Sequence, residues 1–455
     1  MQRERLARAY VYFFGSFGGI LFGYDIGVMT GALPFLQLDW HMHNALIIGM
    51  ITSSLMFGAI FGGLLAGRWA DRYGRKTMIT VAATVFACGS LISAVVPNDG
   101  GWLLIAVRII LGLSVGALSA IVPAYMAEMA PARLRGRMTG INFTMIAAGT
   151  LLSYVVDYCL KDLPASFAWR AMLGMAAVPA LVLLVGSLKL PATPRFLMVQ
   201  GNRAAATKVL RVMQPDANID AEIATIQQVS VQDATERALP YGQMLTGKYR
   251  ALVIAGVGVA GLQQFIGVNA IFYYIPLIVA QATGHAAASN LMWPVIEGLI
   301  LLGASFVFLA IASHFNRRTL LIFGGVGMGL AFVLPVVINW LWPHANPLIT
   351  LVLLCIYVAF YGFTWAPLTW VLVGEIFPLA VRGKASGLAS ALNWVGAFVV
   401  GLVFPVMTAI MKQATVFGIF GLVCFAAVLF VWLVVPETKG HTLEEIEQQY
   451  MKGKG

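Results

Sequence analysis

Glu128-Met-Ala-Pro131-Ala-Arg133-Leu-Arg135-Gly136-Arg137 decides how this chain is read, because the stretch returns. Glu375-Ile-Phe-Pro378-Leu-Ala-Val-Arg382-Gly383-Lys384 repeats its E-x-x-P-x-x-x-R-G-basic pattern 247 residues later. Two fainter echoes keep nearly the same step: Arg75-Lys76 with Arg317-Arg318, and Pro191-Ala-Thr-Pro-Arg195 with Pro436-Glu-Thr-Lys-Gly440. Self-similarity at so long a period means two copies of one unit. Two copies in an apolar chain are the architecture of a transporter with its site between them.

The surrounding sequence agrees. Of its 455 residues 60% are hydrophobic and 11% charged, and the mean hydropathy is +0.85. A soluble domain carries about 45–50% apolar and about 25% charged residues. The chain is therefore expected to be an all-α integral membrane protein with two pseudo-symmetric halves of six spans. Apolar segments of spanning length fall near 9–34, 45–67, 77–96, 101–127, 137–160, 169–190, 250–281, 290–312, 319–342, 347–374, 385–411 and 416–435. Residues 1–190 and 249–435 form the halves. Residues 191–248 are a polar linker with short helices at Arg203–Met213 and Asp220–Val229. Residues 436–455 are a tail, in which Thr442 and Glu445 predict a capped helix. The first apolar stretch lacks a small-residue cleavage site and reads as a span, not a signal peptide.

The net charge of +10 invites a nucleic-acid reading, and its placement removes that reading. Of 29 Lys and Arg, 25 fall on one side of this topology; the exceptions are Arg108, Lys161, Arg170 and Lys412. By the positive-inside rule the loaded side, with both termini, is cytoplasmic in a plasma or inner membrane. Cys88, Cys159, Cys355 and Cys424 lie far apart without metal spacing and read as buried free thiols. No nucleophile–base pair, metal cluster or phosphate-cradling loop suggests an enzyme, and no cofactor is expected. Gly58-x-x-x-Gly62, Gly63-x-x-x-Gly67 and Gly112-x-x-x-Gly116 predict close helix approach.

Between the second and third spans, Gly67-Arg68-Trp-Ala-Asp71-Arg72-Tyr-Gly74-Arg75-Lys76 resembles the G-x-x-x-D-R-x-G-R-K signature of the major facilitator superfamily. Gln263-Gln264-Phe-Ile-Gly267-Val-Asn269-Ala-Ile-Phe-Tyr273-Tyr274 resembles the Q-Q-x-x-G-x-N-x-x-x-Y-Y run of its sugar porter branch. Pro194-Arg195, Trp365-x-Pro367-x-x-Trp370, the doubled motif and Pro436–Gly440 fit the same family, in order along the chain. The resemblance is strongest to bacterial pentose–proton symporters of the xylose and arabinose type.

A sugar needs amides, which both donate and accept, and an aromatic platform. Gln263 and Asn269 are separated by about 600° of rotation at roughly 3.6 residues per turn, so one unbroken helix does not aim both at one point. Gly267 permits an unwinding between them. The resemblance assigns Gln263, Gln264 and Asn269 to sugar hydroxyls; the alternative is interhelical amide bonding. It also assigns Trp370 as ring platform, and Phe22, Tyr274, Asn393 and Trp394 to the pocket wall. The chain departs from the family at Phe143, six before Gly149, at Leu301, and at Ala397, three after Trp394. Each loses a hydroxyl partner and dries that wall, so the substrate stays open.

Asp25 and Arg108 lie inside apolar spans, where a charge costs about 2.5–3.5 kcal/mol on insertion scales. Paired, each relieves the other; the alternative is a static pair that fixes helix register. The resembled symporters place an acid and an arginine here. Burial and a nearby cation pull on a carboxyl's proton in opposite directions, so a changing Asp25–Arg108 distance would move a proton with the sugar. Glu297 is a further acid in the eighth span, without a role implied by the family.

At the basic ends of the spans, Glu128 and Glu375 are expected to face Arg72, Arg75, Arg135, Arg317, Arg318 and Arg382, with Asp71, as a latch holding the inner gate. Ala192, Ser313 and Asn316 stand where acids or glycine are usual, which predicts a weakened outward-facing state. The expected function is sugar–proton symport of a monosaccharide, a pentose or hexose, by a monomer. A facilitative sugar or polyol uniporter and a non-transporting sugar sensor are the alternatives.

Overall fold

The structure is a computed structural model that describes residues 2–98, 100–131, 135–215, 218–226, 242, 244, 249–284, 286–312, 314–342, 346–378 and 381–440. Among them, twelve helices are long and apolar enough to cross a membrane. They are Glu4–Asp39, Ala45–Tyr73, Arg75–Ala94, Gly101–Met129, Gly140–Leu160, Ala165–Leu188, Arg250–Gln281, Ala287–Ile311, Arg317–Leu341, Leu348–Ile376, Arg382–Ile410 and Gln413–Val434. Each overlaps one expected segment to within a few residues, and most run past it at one end into polar flanks. Helical hydrogen bonding does not stop where the apolar run does.

The repeat seen in sequence recurs in the packing. The first span lies against the fifth, the second against the fourth, and the third against the sixth. Six spans later the seventh lies against the eleventh, the eighth against the tenth, and the ninth against the twelfth. The halves meet along two seams related by the same step: second against eleventh, and fifth against eighth.

Small residues set the tightest of these contacts. A methyl added at Gly58, Gly62, Gly112 or Gly116 would collide with backbone of the facing helix, so the second and fourth spans touch main chain to main chain. Gly63 and Gly67 differ: both line a central cavity, and nothing lies within 4 Å of a methyl on Gly67. That motif keeps space open and packs no helix.

Asn44 caps the second span, accepting from the Leu46 and Ile47 amides at 2.9 and 3.3 Å. Between the halves, Pro194–Val199 is capped by Thr193, and Arg203–Met213 has the expected bounds and an Asn202 cap. Residues 219–226 are helical; the rest of the Asp220–Val229 helix and the one expected after Thr442 lie outside the described residues. The thiols are free, and only Cys424 is fully buried. Cys88 and Cys159 sit on the outer surface, where a weakly polar thiol suits lipid as well as it suits a core.

Candidate functional site

The seventh span is broken where its glycine stands. It runs as Arg250–Phe265 and Val268–Thr283, joined through Gly267 at φ +94. A side chain there would be strained and would meet the Phe420 ring at 2.8 Å. The break lets Asn269 turn back toward Gln264, and Asn269 Nδ2 donates to Gln264 Oε1 at 2.7 Å. Gln264 Nε2 donates to Asn393 Oδ1 at 3.3 Å, and Asn393 Nδ2 donates to Gln263 Oε1 at 2.7 Å. Four of the expected residues thus meet as one amide cluster.

A second break orients it. The tenth span is interrupted at Thr364 (φ −127, ψ −89), between Leu348–Phe363 and Trp365–Ile376. Gln263 Nε2 donates to the Trp365 and Ala366 carbonyls, each at 3.0 Å. The buried Trp365 indole donates to Leu321 O at 2.8 Å, anchoring this start on the ninth span. Trp370 lies one turn further, 36% exposed and on the cavity wall.

The cavity holds 1730 Å³ and runs between the halves from the amide cluster to the span ends at Asp71, Glu128, Glu375 and Arg382 and to linker residues Gln214 and Glu222. It therefore opens on the linker side. Besides the amides the lining includes apolar Phe22, Ile26, Phe143, Ile146, Leu301 and Ala397, with polar Asn142 and Thr150 between them. Phe22 and Trp394 touch, with ring centroids 5.4 Å apart. The three departures from the family pattern thus do face the cavity.

Tyr274 is a correction. It is 1% exposed and off the central cavity; its hydroxyl bonds the Thr52 hydroxyl and donates to Gly401 O at 2.8 Å, and its ring stacks on Phe404 at 5.0 Å. It staples the second, seventh and eleventh spans on the far side. Its neighbour Tyr273 lines the cavity instead, because one residue is about 100° of helix rotation. Sequence reasoning also missed Asn142, a cavity residue whose Oδ1 has no partner. The signal was present: Asn142 adjoins the position where the family carries a glutamine.

Asp25 and Arg108 are both buried, at 2% and 1% exposure. The expected ion pair is absent among the described residues. Arg108 instead donates from Nε to Ile51 O at 2.9 Å and from NH2 to Thr52 O at 3.5 Å, while Asp25 Oδ2 has no partner. Close packing of the second and fourth spans brings those carbonyls to the guanidinium, which still acts electrostatically on Asp25. Asp25 and Arg108 both act electrostatically on Tyr273, so a cavity residue stands beside the two charges.

Of the expected latch residues, each glutamate meets one of the arginines. Arg75 NH2 meets Glu128 Oε1 at 2.9 Å, with Asp71 at 3.9 Å. Arg317 grips Glu375 with Nε at 3.2 Å and NH2 at 3.1 Å. Each of these pairs joins spans of the same half, so here they brace the foot of a half. Arg72 lies over the Tyr73 ring, Arg318 bonds the Trp432 carbonyl, and Arg382 Nε donates to Phe377 O at 3.3 Å. The Arg135 side chain and Ser313 lie outside the described residues.

On the far side the halves are shut. Thr30 Oγ1 of the first span donates to Phe272 O of the seventh at 2.5 Å, and a methyl at Gly49 would strike the Leu402 backbone. A cavity open on one face, closed on the other and floored by amides can bind a polyhydroxylated ring and release it to the linker side.

Comparison with known proteins bears on this geometry. A family model described as "Sugar (and other) transporter" matches residues 11–450. The D-xylose transporter of Levilactobacillus brevis is 35% identical over 448 residues, covering 98% of this chain and 96% of that protein. The glucose transporter GlcP of Staphylococcus epidermidis is 34% identical over 446 residues, covering 98% of each. Among solved structures, the proton:xylose symporter XylE, bound to 6-bromo-6-deoxy-D-glucose, matches with a TM-score of 0.83 at 29% identity, covering 98% of this chain and 100% of that one.

Proposed function

The chain belongs to the sugar transporter family, and from that premise we propose that it imports a monosaccharide together with protons by alternating access. The observation that carries this reading is the amide cluster of Gln263, Gln264, Asn269 and Asn393 flooring a cavity beside buried Asp25. The amides exchange their bonds to one another for bonds to sugar hydroxyls, and Trp370 covers a ring face. Tyr273 links the events, since it lines the cavity and lies within the field of Asp25 and Arg108. Sugar in the cavity shifts the seventh span, and with it the surroundings of the Asp25 carboxyl. Return of Arg108 toward Asp25 in the opposite state would expel the proton.

The cationic linker side is read as cytoplasmic, so the cavity here faces inward. Residues of both halves line the cavity, so one chain suffices for transport. The apolar wall at Phe143, Leu301 and Ala397 favours a pentose or hexose held chiefly through one edge.

The test is uptake into proteoliposomes across a panel of pentoses, hexoses and polyols, with and without an imposed pH gradient. Accumulation above equilibrium only with the gradient is expected. Asp25→Asn should abolish that accumulation and leave counterflow exchange. Equal uptake without the gradient makes the protein a uniporter, and undiminished accumulation in Asp25→Asn removes Asp25 from coupling.

A further inference from the structure

The far-side closure contains two carboxyls that this mechanism does not use. Glu297 of the eighth span is 0% exposed and Asp157 of the fifth is 1% exposed. Among the described residues both Glu297 oxygens are buried without a hydrogen-bond partner, while the Asp157 carboxylate lies against the Gly31 backbone, which acts on it. Glu297 stands at the fifth–eighth seam between the halves, and Asp157 faces Gly31 of the first span. A methyl on Gly298 would lie 3.0 Å from Leu151 Cα and Tyr154 Cδ2, so the eighth span touches the fifth directly beside Glu297. Tyr154 binds the seam together: its hydroxyl donates to Phe272 O at 3.4 Å, the carbonyl that also accepts from Thr30. Phe272 itself roofs the sugar cavity. Asp157 lies on the other side of this belt, in a space that Gly31 leaves for it.

The groups facing these carboxyls are all uncharged or acidic. Tyr154 comes from the fifth span, and Cys355 and Tyr357 from the tenth; each is in the field of Glu297. Tyr24 of the first span and Tyr154 are in the field of Asp157. The seventh span contributes the Phe272 carbonyl, and its Tyr273 is turned to Asp25 and Arg108. Among the described residues no cation acts on Glu297. A carboxylate desolvated without a cation or a donor costs several kcal/mol, and such a group is neutralised instead. Opening the seam would return it to water.

We propose that Glu297, in the Tyr154 belt, is a second proton site that operates the far-side gate: the gate closes over the protonated acid and opens as the proton leaves to far-side water. Glu297–COO⁻ plus a proton gives Glu297–COOH, with no other bond changed. The proposal rests on the symport reading for its purpose but is separable from it in measurement. An acidic far side would then load the gate and drive it shut over bound sugar.

The test is a far-side distance measured by double electron–electron resonance on the purified protein. Spin labels at Leu46→Cys and Ser289→Cys, both exposed and in opposite halves, are placed in a background with the four native cysteines replaced. From pH 5.5 to 8.5 the distance should lengthen. Glu297→Gln should hold the short distance at both pH values, and Glu297→Asp, which keeps a carboxyl, should restore the shift. An unchanged shift in Glu297→Gln overturns the proposal, as does a wild-type distance that does not respond to pH. A shift lost in Asp25→Asn and kept in Glu297→Gln would also overturn it, assigning the response to Asp25. Proton-driven accumulation without a pH-dependent distance sinks the gate and leaves symport standing; the distance shift without accumulation does the reverse.

Discussion

The two feet of the molecule, built from the same repeat, are tied differently. In the second half Glu375 takes both prongs of Arg317 and a bond from Thr438 Oγ1 at 2.6 Å. Glu437 then caps the ninth span, accepting from the Arg317 and Arg318 amides at 2.9 and 3.1 Å and from Lys439 N at 3.0 Å. In the first half Arg75 and Glu128 make the matching pair, and Thr193 reaches Glu128 as Thr438 reaches Glu375. But the residue 245 positions before Glu437 is Ala192, which has no carboxylate for the third span. A helix start leaves amides without partners and attracts negative charge. One foot is thus a network closed by a helix cap, and the other a smaller cluster without that cap. The repeat conserves the brace, while the cap belongs to one copy.

Glu375→Gln is the strongest way to break this comparison. It removes the charge that holds Arg317 twice and Thr438 once. Charged hydrogen bonds contribute about 1.5–3 kcal/mol each before solvent discounts them, and the pair is partly exposed, at 17% and 34%. A net loss of about 2 kcal/mol is expected, read as a lower melting temperature in detergent. Glu128→Gln should cost less, because Glu128 takes one prong of Arg75 where Glu375 takes two of Arg317, and no carboxylate cap is tied to its pair. Equal losses would show that the network adds nothing to the pair. Glu437→Ala comes next. It strips the cap and should cost about 1 kcal/mol, with sugar exchange in proteoliposomes retained.

How much of this was legible in sequence depended on how local the cause was. The kink at Gly267 was readable, because a glycine between residues that must meet has few other uses. The kink at Thr364 was not, since a threonine carries no such mark and its conformation is set by packing against Gly324. The meeting of Gln263, Gln264, Asn269 and Asn393 was legible, while Tyr273 and Tyr274 were exchanged, their difference being one step of helix phase. Whether Asp25 and Arg108 touch was not legible, for a longer-range reason. Which partner Arg108 takes is decided by how closely the second span approaches, and with the cavity open on the linker side that is the Ile51 carbonyl. Asp157 carried no mark in the sequence; only the fold shows it buried against Gly31 of the first span.

Ala192→Glu asks whether the missing cap alone separates the two feet. A carboxylate at 192 would stand near the start of the third span, whose Arg75, Lys76 and Thr77 amides precede its first helical bond, Met78 N to Gly74 O at 3.2 Å. An acid so placed contributes about 0.3–1 kcal/mol when exposed. Two features oppose it. Gly74 enters the helix at φ +85, whereas Asn316 enters the ninth span at φ −69, so the amides are aimed differently. Glu128 also lies close by through Thr193, although Arg75 can bridge two acids as Arg317 stands between Glu375 and Glu437. A gain of about 0.5 kcal/mol is therefore expected, the smallest effect of the series. A melting temperature raised by Ala192→Glu, and raised equally in a Glu437→Ala background, would show two independent feet. No gain, or a loss, would trace the difference to the Gly74 backbone, and restoring one side chain would then not make the copies alike.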